Sequence, residues 1–232
     1  MFEKKTFVFR IPNTEVSQDW QKWMVTHFKE RKNFPSLLKV STAIIDGDAE
    51  GFQRQFTAFL QEYLSLFCVP HHREKVYEAL CFMLIFALFG EDYNVRMEQD
   101  GGHGRSDITA HPFARRSSPA LLFEIKSVSG HFRRNGRRSV KTIQCMQRDM
   151  QKAKAEGLAQ LERLRYRERV PLHATKVHEY AFVFCGKFCV AAVRTLERNA
   201  SQEWVEVTTG STSITSSMTE IVDISDDEDE DV

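Results

Sequence analysis

The longest uninterrupted apolar stretch in this 232-residue chain covers residues 79–89, eleven positions from Ala79 to Phe89. It falls well short of the roughly 20 residues a helix needs to cross a bilayer. A helix over this stretch is apolar on all sides, so it has to be buried between other layers. The spacing predicts a helix beginning after Pro70 and ending at Gly90. A chain with such an element is expected to build a layered fold.

Upstream, Phe52, Phe56, Phe59, Leu60, Tyr63, Leu64 and Phe67 recur at three- and four-residue steps behind Asp46, Gly47 and Asp48, which predicts a capped helix over about 49–67. Downstream the period changes. Residues 93–97, 106–111 and 120–127 are short, partly β-prone and bounded by Gly, Pro and Ser, and they read as a three-stranded antiparallel meander. Residues 128–141 (VSGHFRRNGRRSVK) read as a basic loop. Ile143, Met146, Met150, Ala153, Gly157, Leu161 and Leu164 then mark one face of a long helix ending near Arg169 and Pro171. Residues 180–185 and 188–193, joined across Gly186 and Lys187, predict a final hairpin. This order is α/β, a central mixed sheet flanked by helices, and 42% hydrophobic residues with 18 Phe suffice for one packed core.

The charges cancel, with 32 Lys plus Arg against 32 Asp plus Glu, but they are not mixed. Eight acids and no base lie in residues 220–232, leaving residues 1–219 at +8. Residues 105–169 alone hold 16 bases against six acids, a density that phosphate-backbone binding requires and that solvated Arg-rich helices also produce. Five scattered Cys argue against a disulfide framework, and Cys185 and Cys189 read as core thiols. The opening MFEKKTFVFRIPN lacks the features of a secretory signal. An intracellular protein with no membrane partner is expected.

The sharpest constellation is Asp107 on the second predicted strand with Glu124 and Lys126 on the third. Strand side chains alternate, so Glu124 and Lys126 share a face while Ile125 turns into the core. Hairpin pairing would bring Asp107 beside Glu124, giving two carboxylates and an ammonium at one spot. That set suits a hard divalent ion, with the lysine orienting or deprotonating a water and stabilising charge at a phosphate. A carboxylate and a lysine two apart on an exposed strand are also common as solvated surface. The apolar flanks, Ala120 to Phe123 and Ile125, mark this strand as central, where charges usually serve a site.

The run EQDGGHGRSDI, the strand LLFEIKS, the segment AQLERLRY and the strand YAFVFCGK resemble, in order and spacing, the PD-(D/E)XK nuclease superfamily. More narrowly they resemble the nuclease-like domain found C-terminal to AAA-ATPase-like domains. The resemblance covers residues 36–195, including the helical lead-in. It implies a restriction-endonuclease-like core over 36–208, in which Asp107 and Glu124 ligate Mg2+ (or Mn2+) and Lys126 is the catalytic lysine. Glu74 takes the place of the helical glutamate, a further ligand or water-positioning group. Gln160 and Tyr166 match the family's helical Gln and Tyr; six residues apart on a helix they lie about 120° apart, which favours Gln160 over Tyr166 near the site. Glu98 and Arg105 also fit the pattern. No GKS or GKT phosphate loop is present, so nucleotide-driven activity is not expected.

The resemblance implies a metal-dependent nuclease acting on nucleic acid, DNA being the expected substrate. Its rival is a catalytically silent domain of the same fold that binds nucleic acid or recruits a protein. Arg133, Arg134, Arg137, Arg138 and Lys141 directly follow the EIK strand and are the expected backbone contacts. They equally suit a nuclear import signal. Residues 1–35 form an extension without an assigned role. Residues 209–232 are Ser, Thr and acid, a composition expected to be disordered. Within them Ile221, Val222 and Ile224, followed by Ser225 and an acidic run to 231, resemble the SUMO-interacting motif, which adds a strand to its partner's sheet edge. A plain acidic solubilising tail has the same composition. SUMO or SUMO-modified proteins would be the partner and the nucleus the compartment.

Overall fold

A computed structural model describes residue 26 and residues 34–63, 74–101, 104–114, 118–134 and 137–207. The acidic tail with its aliphatic motif, and most of the N-terminal extension, lie outside the described residues. Three helices come first: α1 (Phe34–Asp46), α2 (Ala49–Tyr63) and α3 (Glu74–Phe89). They are followed by β1 (Tyr93–Gly101), β2 (Gly104–Pro112) and β3 (Ala120–Ser127), a small hairpin of β4 (His131–Arg134) and β5 (Arg137–Val140), and the long α4 (Ile143–Leu164). A 3-10 turn (Tyr166–Arg169), β6 (Lys176–Cys185), β7 (Phe188–Arg198) and β8 (Trp204–Glu206) complete the described chain.

Six strands form one mixed sheet in the order β1-β2-β3-β6-β7-β8. All neighbours are antiparallel except β3 and β6, whose parallel pairing requires the β4–β5 hairpin and α4 to cross over between them. The alternation read from the sequence sets the layers. Leu121, Phe123 and Ile125 of β3 join Tyr180, Phe182 and Phe184 of β6 in the core shared with α1, α2 and α3. Ala120 and Leu122 face the other way, against Leu161 and Tyr166. Phe182 stacks on Phe52 at 4.1 Å, and Phe184 on Tyr77 at 4.6 Å, so the aromatic-rich segments are what join α2 and α3 to the sheet.

The α1–α2 corner follows from IIDGD. Gly47 takes φ +73°, a left-handed conformation that ends α1, and the Asp48 N–H donates back to Ala43 O at 2.8 Å. Asp48 then caps α2, accepting from the Gly51 N–H at 2.8 Å. The last carbonyls of α1 are satisfied from the sheet: Tyr180 donates to Ile44 O (2.7 Å) and His178 Nε2 to Ile45 O (3.0 Å).

Several expectations are corrected. The basic segment after β3 is a hairpin rather than a loop, with Arg133 opposite Arg138 and Arg134 opposite Arg137. Helix α3 is not buried on every side: Tyr77, Glu78, Cys81, Leu84, Ile85 and Phe89 face inward, while Met83 is 42% exposed. Helix α4 stops at Leu164, because Arg165 turns left-handed (φ 52°), and its continuation to Arg169 is the 3-10 turn. The α1 helix and the edge strand β8, whose Trp204 lies under the Arg198 guanidinium at 4.3 Å, add to the expected elements. Cys81, Cys185 and Cys189 are buried free thiols. Among the described residues no helix is long and apolar enough to cross a membrane.

Candidate active site

Strands β2 and β3 pair only from Ile108–Phe123 to Ala110–Leu121. Beyond Phe123, β3 keeps its other neighbour and pairs with β6 as far as Ser127, while β2 stays with β1. The sheet therefore forks. On the open edge of β3 the Ile125 N–H donates to Asp107 Oδ2 at 2.7 Å, so a side-chain carboxylate stands where the ladder would have continued. The register that pairs Ile108 with Phe123 sets Asp107 level with Glu124, the juxtaposition expected from the sequence.

Glu124 alternates with Ala120 and Leu122 and so points to the α4 side. Its side chain is 1% exposed, and Lys126 Nζ donates to its Oε1 at 2.6 Å. Its second oxygen, Oε2, is buried without a hydrogen-bond partner among the described residues. Folded proteins rarely leave such an atom unpaired, and an ion or an ordered water commonly satisfies it. Gly157 of α4 lets the helix close on β6 beside this side chain: a Cβ there would sit 2.9 Å from Ala181 Cβ, with Glu124 Cγ in ordinary contact at 3.8 Å.

The electrostatics are those of crowded acids. Burial, then the charge of Asp107, pushes the Glu124 carboxyl up to about 7 against the opposing pull of Lys126. Burial likewise raises Asp107 to about 6, opposed by the Ile125 hydrogen bond and reinforced by Glu78 and Glu74. For Lys126, burial alone would lower the pKa, but the bond and charge of Glu124, with Glu74 and Asp107, outweigh it and raise it. Lys126 is thus held as the ammonium ion.

Glu74 opens α3, and its charge is felt at Asp107, Glu124 and Lys126. One turn on, Glu78 is 1% exposed and paired with Lys75 at 2.6 Å. Sequence reasoning missed Glu78, although its i,i+4 spacing from Glu74 puts the two on one helix face. Gln160 is half-buried on α4, and Tyr166, ranked behind it from the sequence, lies beside it. Because the helix ends at Arg165, the 120° separation does not apply. Tyr166 is 3% exposed, shares a hydrogen bond with Gln160, and is pushed up to about 12 by burial and by the charges of Glu124 and Asp107. The turn that carries it is anchored by Arg167 on the fully buried Glu179 (3.3 Å), which Arg194 also holds. Lys141 sits at the foot of the basic hairpin and donates to Asp149 at 2.6 Å. For Glu98, Arg105, Arg133, Arg134, Arg137 and Arg138 the structure describes the backbone path only.

Among the described residues no three His, Cys, Asp or Glu side chains are grouped to hold a metal ion, and Asp107 and Glu124 are the two carboxylates at the fork. Two carboxylates still fit a hard divalent ion. Mg2+ is commonly bound by one or two carboxylates and keeps several waters or substrate phosphates. The unpaired Glu124 oxygen and the mutual repulsion of the two acids are what such a charge would relieve.

A forked mixed sheet, covered by helices on both faces, carries an acid on one prong and Glu-x-Lys on the other. The chain belongs to the PD-(D/E)XK nuclease superfamily: a family model of that superfamily matches residues 72–193, just over half of its length. No curated protein and no solved structure matches the chain.

Proposed function

We propose that this protein is a metal-dependent nuclease that hydrolyses phosphodiester bonds, with DNA as substrate. The observation that carries the proposal is the buried, unpaired Glu124 oxygen beside Asp107 at the open fork of the sheet. Asp107 and Glu124 would hold Mg2+ or Mn2+, which when bound polarises a phosphoryl oxygen and a water. Lys126, kept protonated by Glu124, orients water and stabilises charge on the phosphate rather than removing a proton. Glu74 adds negative potential at the mouth, and Gln160 with Tyr166 forms the α4-side wall. The bases of the β4–β5 hairpin would grip the nucleic-acid backbone from beside β3.

The test is incubation of the full chain with labelled single- and double-stranded DNA and RNA in Mg2+ or Mn2+. Cleavage that disappears on chelation and in Asp107→Ala supports the proposal; cleavage that survives both, or none on any substrate, overturns it.

The Glu124–Lys126 bond, which already occupies one carboxylate oxygen, favours a second reading: a silent domain that binds nucleic acid or a protein without cutting it. Binding with no cleavage would select it. In either case Ile221, Val222 and Ile224 would dock on SUMO and direct the protein to nuclear partners. A SUMO titration that is unchanged in the Ile221, Val222, Ile224→Ala triple variant would remove that part.

A further inference from the structure

Three ties converge on the 3-10 turn Tyr166–Arg169. At its middle, Arg167 Nη1 donates to both oxygens of Glu179, at 3.3 and 3.4 Å. At its entry, Arg194 of β7 joins the same Glu179 to the last turn of α4, donating from Nε to Glu179 Oε2 and from Nη1 to Glu162 Oε2, both at 2.9 Å. At its exit, Arg198 donates to Val170 O at 3.0 Å. One fully buried carboxylate thus holds two guanidinium groups and, through them, helix, sheet and turn.

Stability alone is a weak reason for this arrangement. Well-packed apolar residues in place of a buried ion network are often as stable or more so, whereas the network fixes the geometry between the elements it joins. The backbone at the entry carries a second cost. Arg165 takes the left-handed conformation (φ 52°), which is sterically unfavourable for a residue with a side chain, and residues held in this way gather at functional sites. Both costs determine the path of the chain at one point, Tyr166.

Tyr166 is the residue of the turn that meets the site. It is 3% exposed, shares a hydrogen bond with Gln160, and feels the charges of Glu124 and Asp107. The network lies on the same face of the sheet. Glu179 is level with Leu122 and Ala181 with Glu124, so the network is based two residues, about 7 Å, along the strands from the Glu124 row.

We propose that Glu179, with Arg167 and Arg194, is a positioning network for the site: it fixes the turn so that Tyr166 closes on the Glu124–Asp107 pair, and Arg167 carries the constraint to Tyr166. The effect on cutting rests on the nuclease reading; the placement of Tyr166 does not.

Arg167→Met removes the tie and leaves Glu179 with Arg194; should it not fold, Arg167→Lys, which keeps the charge without the two-oxygen contact, makes the same comparison. The first arm measures Mg2+-dependent cleavage of one labelled oligonucleotide by the full chain. Arg167→Met should lower kcat by about tenfold and move KM by less than about twofold, with Arg167→Lys between it and the wild type, because positioning acts on the reacting geometry and not on uniform binding. In a Tyr166→Phe background the same change should cost less than about twofold, since it acts through Tyr166. The second arm needs no activity. In metal-free protein with 13C-labelled tyrosine rings, the signals of the five tyrosines are followed, Tyr166 being assigned by its loss in Tyr166→Phe. Arg167→Met should move the Tyr166 signal and leave the others in place. If nothing is cut and the Tyr166 signal alone moves, the network stands and the nuclease reading fails. An unmoved Tyr166 signal, or movement of all the tyrosines together, overturns the network. So does a kcat equal to that of the wild type, a loss confined to KM, or a kcat loss as large in Tyr166→Phe as in the wild type.

Discussion

A carboxylate kept in a buried site for function should cost the fold stability, and Glu124→Gln measures that cost. The Glu124 carboxyl is raised from 4.5 to about 7, with burial as the main cause. In the metal-free protein the folded state therefore binds this proton more tightly than the unfolded chain does. Between the two values stability falls as pH rises: the favourable contribution is complete below about 4.5 and lost through about 7. A shift of that size corresponds to about 3 kcal/mol at about 1.36 kcal/mol per unit. Glutamine keeps the shape and an acceptor for Lys126 but carries no charge, at the expense of a charge-assisted hydrogen bond worth about 1.5–3 kcal/mol. The net gain at pH 8 should be at most about 1.5 kcal/mol, shrinking to nothing or reversing at pH 5. Urea unfolding in chelator at both pH values gives the difference directly. Mg2+ should stabilise the wild type and not the variant, because only a ligand that binds the folded state shifts the equilibrium. A variant less stable than wild type at pH 8, or a difference that does not change with pH, would refute the reasoning.

Three further outcomes follow from contacts elsewhere in the fold. His178 is buried between Thr195 and Ile45 O, and burial lowers it from 6.5 to about 4. Its imidazole resonances should stay those of the neutral ring at pH 5, the protein losing the associated stability only as pH falls from about 6.5 towards 4; a midpoint near 6.5 would contradict this. Gly157→Ala should lower Tm and cleavage together, since a Cβ at 2.9 Å from Ala181 overpacks the helix against β6. That costs about 1–3 kcal/mol, more than the ~1 kcal/mol of helix propensity gained; an unchanged Tm would contradict it. Arg194→Ala leaves the fully buried Glu179 with Arg167 alone, and chemical denaturation should report a loss of about 3–5 kcal/mol. A loss below the scatter of the measurement would count against it.

What the sequence disclosed depended on whether local period or distant contact decides the structure. The alternation in LLFEIKS was enough to turn Ile125 into the core and Glu124 with Lys126 to the opposite face. It was also enough, with the hairpin register, to set Asp107 beside Glu124. The fork was not legible, because it depends on β3 leaving β2 while keeping β6, a strand more than 50 residues later. Helix α1 was equally hidden: β-branched residues dilute its period, and its last carbonyls are satisfied by Tyr180 and His178 from the sheet. The eleven-residue apolar run fixed that α3 is buried but not which side stays open at Met83. Tyr166 was ranked behind Gln160 by treating the helix as continuous. One left-handed residue, Arg165, redirects it, and nothing in an arginine announces that conformation.

The central claim is that Asp107, Glu124 and Lys126 act as one unit on a phosphodiester. The most direct test is the Mg2+-dependent cleavage rate of one labelled oligonucleotide by the wild type, by Asp107→Asn, Glu124→Gln and Lys126→Met, and by the double variant Asp107→Asn with Glu124→Gln. Each single change should reduce the rate by about 10³-fold or more, and the double should be no worse than the poorer single, because groups that act as a unit are not additive. A single variant that retains substantial activity, or losses that multiply in the double, would contradict the account.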